Sequence, residues 1–284
     1  MREPALNVRG IGRALALVTI AWVLPGSAFA QLAGTPGAQK KVEGRPAERG
    51  GLQTAGELAS AAYRSFLAED FKDAEVTARL ALQSDGQNAR ANAVLGNVLA
   101  VLGVLDDDAA RVARAREYIG KALTRDPKLP LAHNALGVAM AGEGNLTEAQ
   151  AEFTRAIELD EALAVAQGNL AWVHWQRKRF PEAERGYRLA IKLDPERAVP
   201  YNGLAAVLGS LGRYPEMERA SREAIRRYDS RDRILASLYV NLAVALHEQN
   251  QHEAAIGAVT RARALGLDNH PAYDIILGVA RLDP

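Results

Sequence analysis

PLAHNALGVAMAGEGNLTEAQAEFTRAIELDEAL (130–163) is followed directly by AVAQGNLAWVHWQRKRFPEAERGYRLAIKLDPER (164–197). The two lines have the same length and nearly the same pattern. Leu136-Gly137 aligns with Leu170-Ala171, Ala149 with Ala183, Phe153 with Tyr187, and Ala156 with Ala190. Apolar residues recur three and four apart in each half of each line, with a Gly- or Arg-rich break in the middle. That spacing puts the apolar residues on one face of a helix. Each line therefore predicts two helices joined by a turn.

The same strings appear along most of the chain. ARANAVLG starts at Ala89, AVPYNGLA at Ala198, ASLYVNLA at Ala236 and PAYDIILG at Pro271. A second string follows each of the first three, for example EMERASREAIRRYD and EAAIGAVTRARALG. A weaker unit occupies 55–88. The starts at 130, 164 and 198 share a period of 34 residues, which marks stacked helix–turn–helix units.

Working outward, six units are expected at 55–88, 89–129, 130–163, 164–197, 198–231 and 236–269, with a closing helix from 271. The unit at 89 runs seven residues long, close to two helical turns. One extra turn is expected on each of its helices. Four extra residues from Asp232 are expected to lengthen the first helix of the last unit. Pro181 and Pro215 fall at the first turn of a helix, where the missing N–H costs nothing.

These residues resemble the tetratricopeptide repeat family, and the resemblance covers about residues 55–284. It implies an all-α, right-handed α-solenoid of antiparallel helix pairs. Small residues at positions 8, 20 and 27 of each unit let two helices approach, and larger ones at 7, 11 and 24 fill the gaps. The unit at 198 departs with Met217 and Ser221 at positions 20 and 24. One pair cannot bury its apolar face alone, so the pairs must stack.

Residues 1–54 read differently. Arg2, Arg9 and Arg13 precede an apolar run from Ala14 to Leu24, then Pro25-Gly26 and Ala28-Phe29-Ala30. This is the layout of a secretory signal peptide cleaved after Ala30. Eleven apolar residues fall short of the roughly 20 that span a bilayer. A periplasmic or secreted protein is therefore expected, with no transmembrane segment after cleavage. Residues 31–54 are rich in Gly, Pro and charge, and read as a flexible linker.

Composition narrows the chemistry. The 35 basic and 34 acidic residues nearly cancel, and losing residues 1–30 leaves 32 and 33. A nucleic-acid binder would show a basic excess, so none is expected as a partner. With no cysteine, disulfides, thiol nucleophiles and lipid attachment at a cysteine are excluded. No Gly-rich phosphate loop or nucleophile elbow occurs. His247 and His252 stand five apart, whereas the zinc-protease motif needs four; on one helix their rings would point about 140° apart. Asp106-Asp107-Asp108 reads as a helix cap, since no distal Glu at calcium-loop spacing follows. No catalytic site, metal or cofactor is expected.

The resemblance implies that partners bind on the inner face of the first helices. Carried over residue by residue, that face holds Tyr63, Phe66, Asn97, Asn134, Val138, Trp172, Trp175, Gln176, Asn202 and His247. The two tryptophans either anchor a partner there or fill the space between neighbouring units. Lysines of the carboxylate-gripping members are absent: position 5 reads Ala59, Ala93, Asn134, Gly168, Asn202 and Val240. A second surface is an outer basic ridge of Arg185, Arg188, Lys192, Arg219, Arg222 and Arg226. Glu184 and Glu218 stand four residues before two of these arginines, which favours a self-neutralised face.

The expected function is a non-catalytic scaffold binding protein partners. Pilus, secretion or polysaccharide-export assembly at the outer membrane is implied by family and compartment alone. A lipid- or glycan-binding module and a metal-dependent hydrolase are the alternatives.

Overall fold

The structure is a computed structural model that describes residues 54–228 and 233–278. The expected signal peptide and nearly all of the expected linker lie outside the described residues. Two compact units divide the chain between Leu159 and Asp160.

The N-terminal unit contains three helix pairs: α1 (Ala55–Leu67) with α2 (Phe71–Ser84), α3 (Ala89–Leu105) with α4 (Ala109–Arg125), and α5 (Pro130–Gly142) with α6 (Leu146–Leu159). Successive pairs stack through α1, α3 and α5. The C-terminal unit pairs α7 (Ala164–Gln176) with α8 (Phe180–Leu193), α9 (Ala198–Ser210) with α10 (Tyr214–Arg227), and α11 (Arg233–Glu248) with α12 (His252–Ala264). Here α7, α9 and α11 stack, and the short α13 (Pro271–Ile276) packs on α11 and α12. Every described element is helical, so the chain is an all-α array of antiparallel pairs.

Length differences follow the sequence. Helices α3 and α4 are 17 residues each, against 13 and 14 in the next pair. Helix α11 has 16 residues and begins at Arg233. Asp108 accepts a hydrogen bond from the Arg111 amide at 2.9 Å and so caps α4, while Asp106 pairs with the Arg111 guanidinium. Thr54 and Glu57 form a reciprocal capping box at the start of α1.

The turn inside each pair is built the same way six times. Glu69, Asp107, Gly144, Lys178, Gly212 and Asn250 all have φ between 54° and 85°. The next residue donates its amide to a carbonyl five residues back, as from Asn145 to Met140 and from Arg179 to His174, both at 2.9 Å. This is the closure that ends a helix through one left-handed residue.

Close approach defines the cores. A Cβ on Gly137 would lie 2.6 Å from the Phe153 ring, and one on Gly186 would lie 2.7 Å from the Ala171 methyl. Gly96 meets Ile119 and the Ala115 carbonyl in the same way. Between neighbouring pairs, a Cβ on Gly203 would fall 2.2 Å from the Tyr187 ring, and one on Gly142 would fall 2.3 Å from Val104. Ala62, Ala78, Ala135, Ala156, Ala183 and Ala224 are fully buried. The helices thus meet where side chains are a hydrogen or a methyl, and burial then offsets ordering entropy at about 25 cal/mol per Å² of apolar surface.

The C-terminal end adds a pH-dependent contact. His270 Nδ1 accepts the Ala272 amide at 3.1 Å and caps α13, and Tyr273 donates to the Leu267 carbonyl at 2.9 Å. Burial pushes the His270 imidazole down to about 4. An unfolded histidine titrates near ~6.5, so protons favour the unfolded end. The cap is therefore fully stabilising above about pH 6.5 and weakens as the pH falls towards 4. Amide exchange in α13, divided by its intrinsic rate at each pH, should show an excess of opening at pH 5 over pH 7. His270→Asn keeps a capping oxygen and should abolish that excess; an equal excess in the variant would contradict the assignment.

Candidate partner-binding faces

Ten side chains were expected along an open inner face. Seven of them are buried: Phe66, Asn97, Asn134, Val138, Trp172, Trp175 and Asn202. The physical reason is that the first helices stack on each other within each unit, so side chains between them are sealed in. Phe66 packs 6.1 Å from the Phe71 ring. Trp175, only 6% exposed, donates its indole N–H to Ser210 Oγ at 3.1 Å and links α7 to α9. Asn241 donates to Asn202 Oδ1 at 2.6 Å and links α9 to α11. Tyr63, Gln176 and His247 are half-buried.

Some polar groups on these helices are sealed in without an intramolecular partner. They include both amide atoms of Asn97, the indole N–H of Trp172, Oδ1 of Asn241 and Nδ1 of His247. In native structures nearly all such groups find a hydrogen-bond partner, and leaving one unmet costs about 1–3 kcal/mol. Three of the four residues lie on α7 and α11 of the C-terminal unit. Asn241 escaped the sequence reading because it stands one position away from the expected face; its pairing to Asn202 depends on the stacking of α11 on α9.

The basic ridge divides in two. Glu184, whose side chain is 12% exposed, takes Arg188 at 2.5 Å and Arg213 at 2.7 Å. Arg213 also grips both oxygens of Glu216 at 2.7 Å, and Arg188 approaches Glu216 at 3.8 Å. Hydrogen bonds to these two carboxylates raise the Arg213 pKa, and Arg213 in turn holds Glu216 below its usual range. This four-member network ties α8 to the start of α10. Arg222 pairs with Glu218 at 2.8 Å and Arg226 with Glu223 at 2.6 Å. Arg227 joins Glu223, donates to the Pro195 carbonyl and stacks 4.4 Å over the Tyr201 ring. Arg185, Lys192 and Arg219 are exposed and make no ion pair among the described residues. Spacing along one helix revealed the Glu184–Arg188 pair. It could not reveal Arg213, which lies 29 residues away and reaches Glu184 only through stacking.

Residues 196–267 match the family model described as tetratricopeptide repeat. Residues 196–267 are thus tetratricopeptide repeats, and the remaining helix pairs share their fold. Among solved structures it is similar to the APC/C hetero-tetramer Cut9–Hcn1, with a TM-score of 0.63 at 18% identity over 80% of this chain and 50% of that one. The chain thus spans about half of that protein. It is also similar to PilF of Pseudomonas aeruginosa, with a TM-score of 0.55 at 16% identity over 79% and 97%. PilW, a type IV pilus biogenesis factor, gives 0.53 at 18% identity over 78% and 98%. At these identities the likeness is one of fold. No curated protein sequence matches the chain.

Within the repeat array the histidines take ordinary places. His133 bridges Glu152 at 2.7 Å and the Pro127 carbonyl at 3.0 Å. His247 and His252 flank the α11–α12 turn, and their rings meet edge to face at 5.2 Å. The chain reversal brings them closer than one continuous helix would. No group of three His, Cys, Asp or Glu side chains suited to a metal occurs among the described residues. No described helix is long and apolar enough to cross a membrane.

Glu184→Gln should lower the melting temperature by several degrees, because it withdraws the more buried of the two charges shared by Arg188 and Arg213. Arg188→Ala, at a side chain half exposed to water, should change it little. Equal effects of the two would contradict the shared-carboxylate role.

Proposed function

We propose that the protein is a non-catalytic scaffold in the periplasm, and that it holds a segment of a partner protein against α7, α9 and α11. The observation that carries this reading is the row of partly exposed polar side chains on these helices: Gln176 of α7, Ser210 of α9 and His247 of α11. An amide, a hydroxyl and an imidazole can each donate or accept a hydrogen bond. A peptide main chain offers a carbonyl and an amide at every residue and satisfies both kinds. The repeat fold supports a protein as the partner. The basic n-region, apolar run and Ala28-Phe29-Ala30 support export. Fold likeness to PilF and PilW supports, as a proposal, a place in an assembly at the outer membrane such as a pilus.

Gln176→Ala removes one of these hydrogen-bonding side chains from α7. Affinity chromatography of periplasmic extract on the wild-type chain should recover a specific protein, and the variant should recover it about fivefold less well, the loss of roughly 1 kcal/mol. Equal recovery by wild type and variant would remove this face from the account.

A further inference from the structure

A second surface lies on the opposite side of the pairing, and its evidence is independent of the inner face. Residues 177–227 hold 12 Lys and Arg against 7 Asp and Glu. Four of those carboxylates are already committed: Glu184 and Glu216 to Arg188 and Arg213, Glu218 to Arg222, and Glu223 to Arg226 and Arg227. Arg185, Lys192 and Arg219 are the exposed cations of this ridge left over.

Their placement is ordered. Arg185 and Lys192 are seven residues apart on α8, which is about 10 Å along the axis and within about 20° around it. Leu189 stands between them and is 40% exposed, and Leu193 stands beside Lys192 at 37%. Water thus meets a strip of cation, leucine, cation. Arg219 takes the place on α10 that Arg185 takes on α8, and the Glu184–Arg213–Glu216 network holds the two helices side by side. The other exposed apolar pair on a second helix, Val76 and Leu80 of α2, has no such strip: its neighbour Arg79 is neutralised by Glu75 at 2.8 Å.

We propose that the outer face of α8, continued by Arg219 of α10, docks an acidic amphipathic helix of a partner protein. A helix laid along α8 repeats its spacing, so carboxylates seven apart meet Arg185 and Lys192 while an apolar residue between them covers Leu189. A purely acidic tail would satisfy the cations and leave both leucines wet. A broad anionic membrane fits less well, because Glu182 flanks the strip and repels an extended negative surface while leaving room for one helix.

The test uses the full chain and a labelled synthetic 18-residue helical peptide with Glu at i and i+7 and Leu at i+4. Fluorescence anisotropy should show saturable binding that weakens as salt rises. Arg185→Glu with Lys192→Glu should weaken it at least tenfold, and Leu189→Ser several-fold, with melting temperatures kept. Gln176→Ala, on the inner face, should leave it unchanged. A scrambled peptide of the same composition should bind at least tenfold more weakly. Wild-type affinity in the double variant, equal binding of the scrambled peptide, no saturable binding, or preferential adsorption to phosphatidylglycerol vesicles would each overturn the proposal.

Discussion

The structure depends on how closely its helices approach. At each crossing one helix offers a glycine or alanine, and the other fills that space with a ring or a methyl. Gly203 against the Tyr187 ring, Gly142 against Val104 and Gly137 under Phe153 are the tightest cases. Dispersion and apolar burial both fall steeply once a gap opens. A chain of short helices with few aromatic residues and no cysteine has no other large source of stability.

Close approach also divides the surface. The first helices pack among themselves, so their polar side chains are sealed and must find partners sideways, as Asn202 does with Asn241 and Trp175 with Ser210. The second helices face water along one side and carry charges there. One family of helices thus holds scarce, unmet hydrogen-bonding groups. The other holds an ordered strip of charge and leucine. Both features follow from the same stacking.

Most of the fold was legible in the sequence because it repeats. A period of 34 residues, Ala and Gly at fixed places and the extra turn in α3 and α4 are all local signals. The left-handed residue in each turn was partly legible, at Gly144 and Gly212, and hidden where Glu69, Asp107 and Lys178 occupy the same place. The depth of burial on the inner face was not legible, for a physical reason. Helical phase places Trp172, Trp175 and Asn134 on one side of a helix but does not say how deeply the next helix covers that side. Arg213 was invisible for a related reason: its partners come from the neighbouring pair, and no spacing within one helix encodes them.

The dependence on close approach can be tested by adding one methyl group in two places. Gly203 lies against the buried Tyr187 ring, whereas nothing lies within 4 Å of a Cβ on Gly120, which is exposed in α4. Thermal unfolding of Gly203→Ala should show a loss of about 1–3 kcal/mol from overpacking. Gly120→Ala should show a gain of about 0.5–1 kcal/mol from better helix propensity. The same sign for both variants would contradict the account.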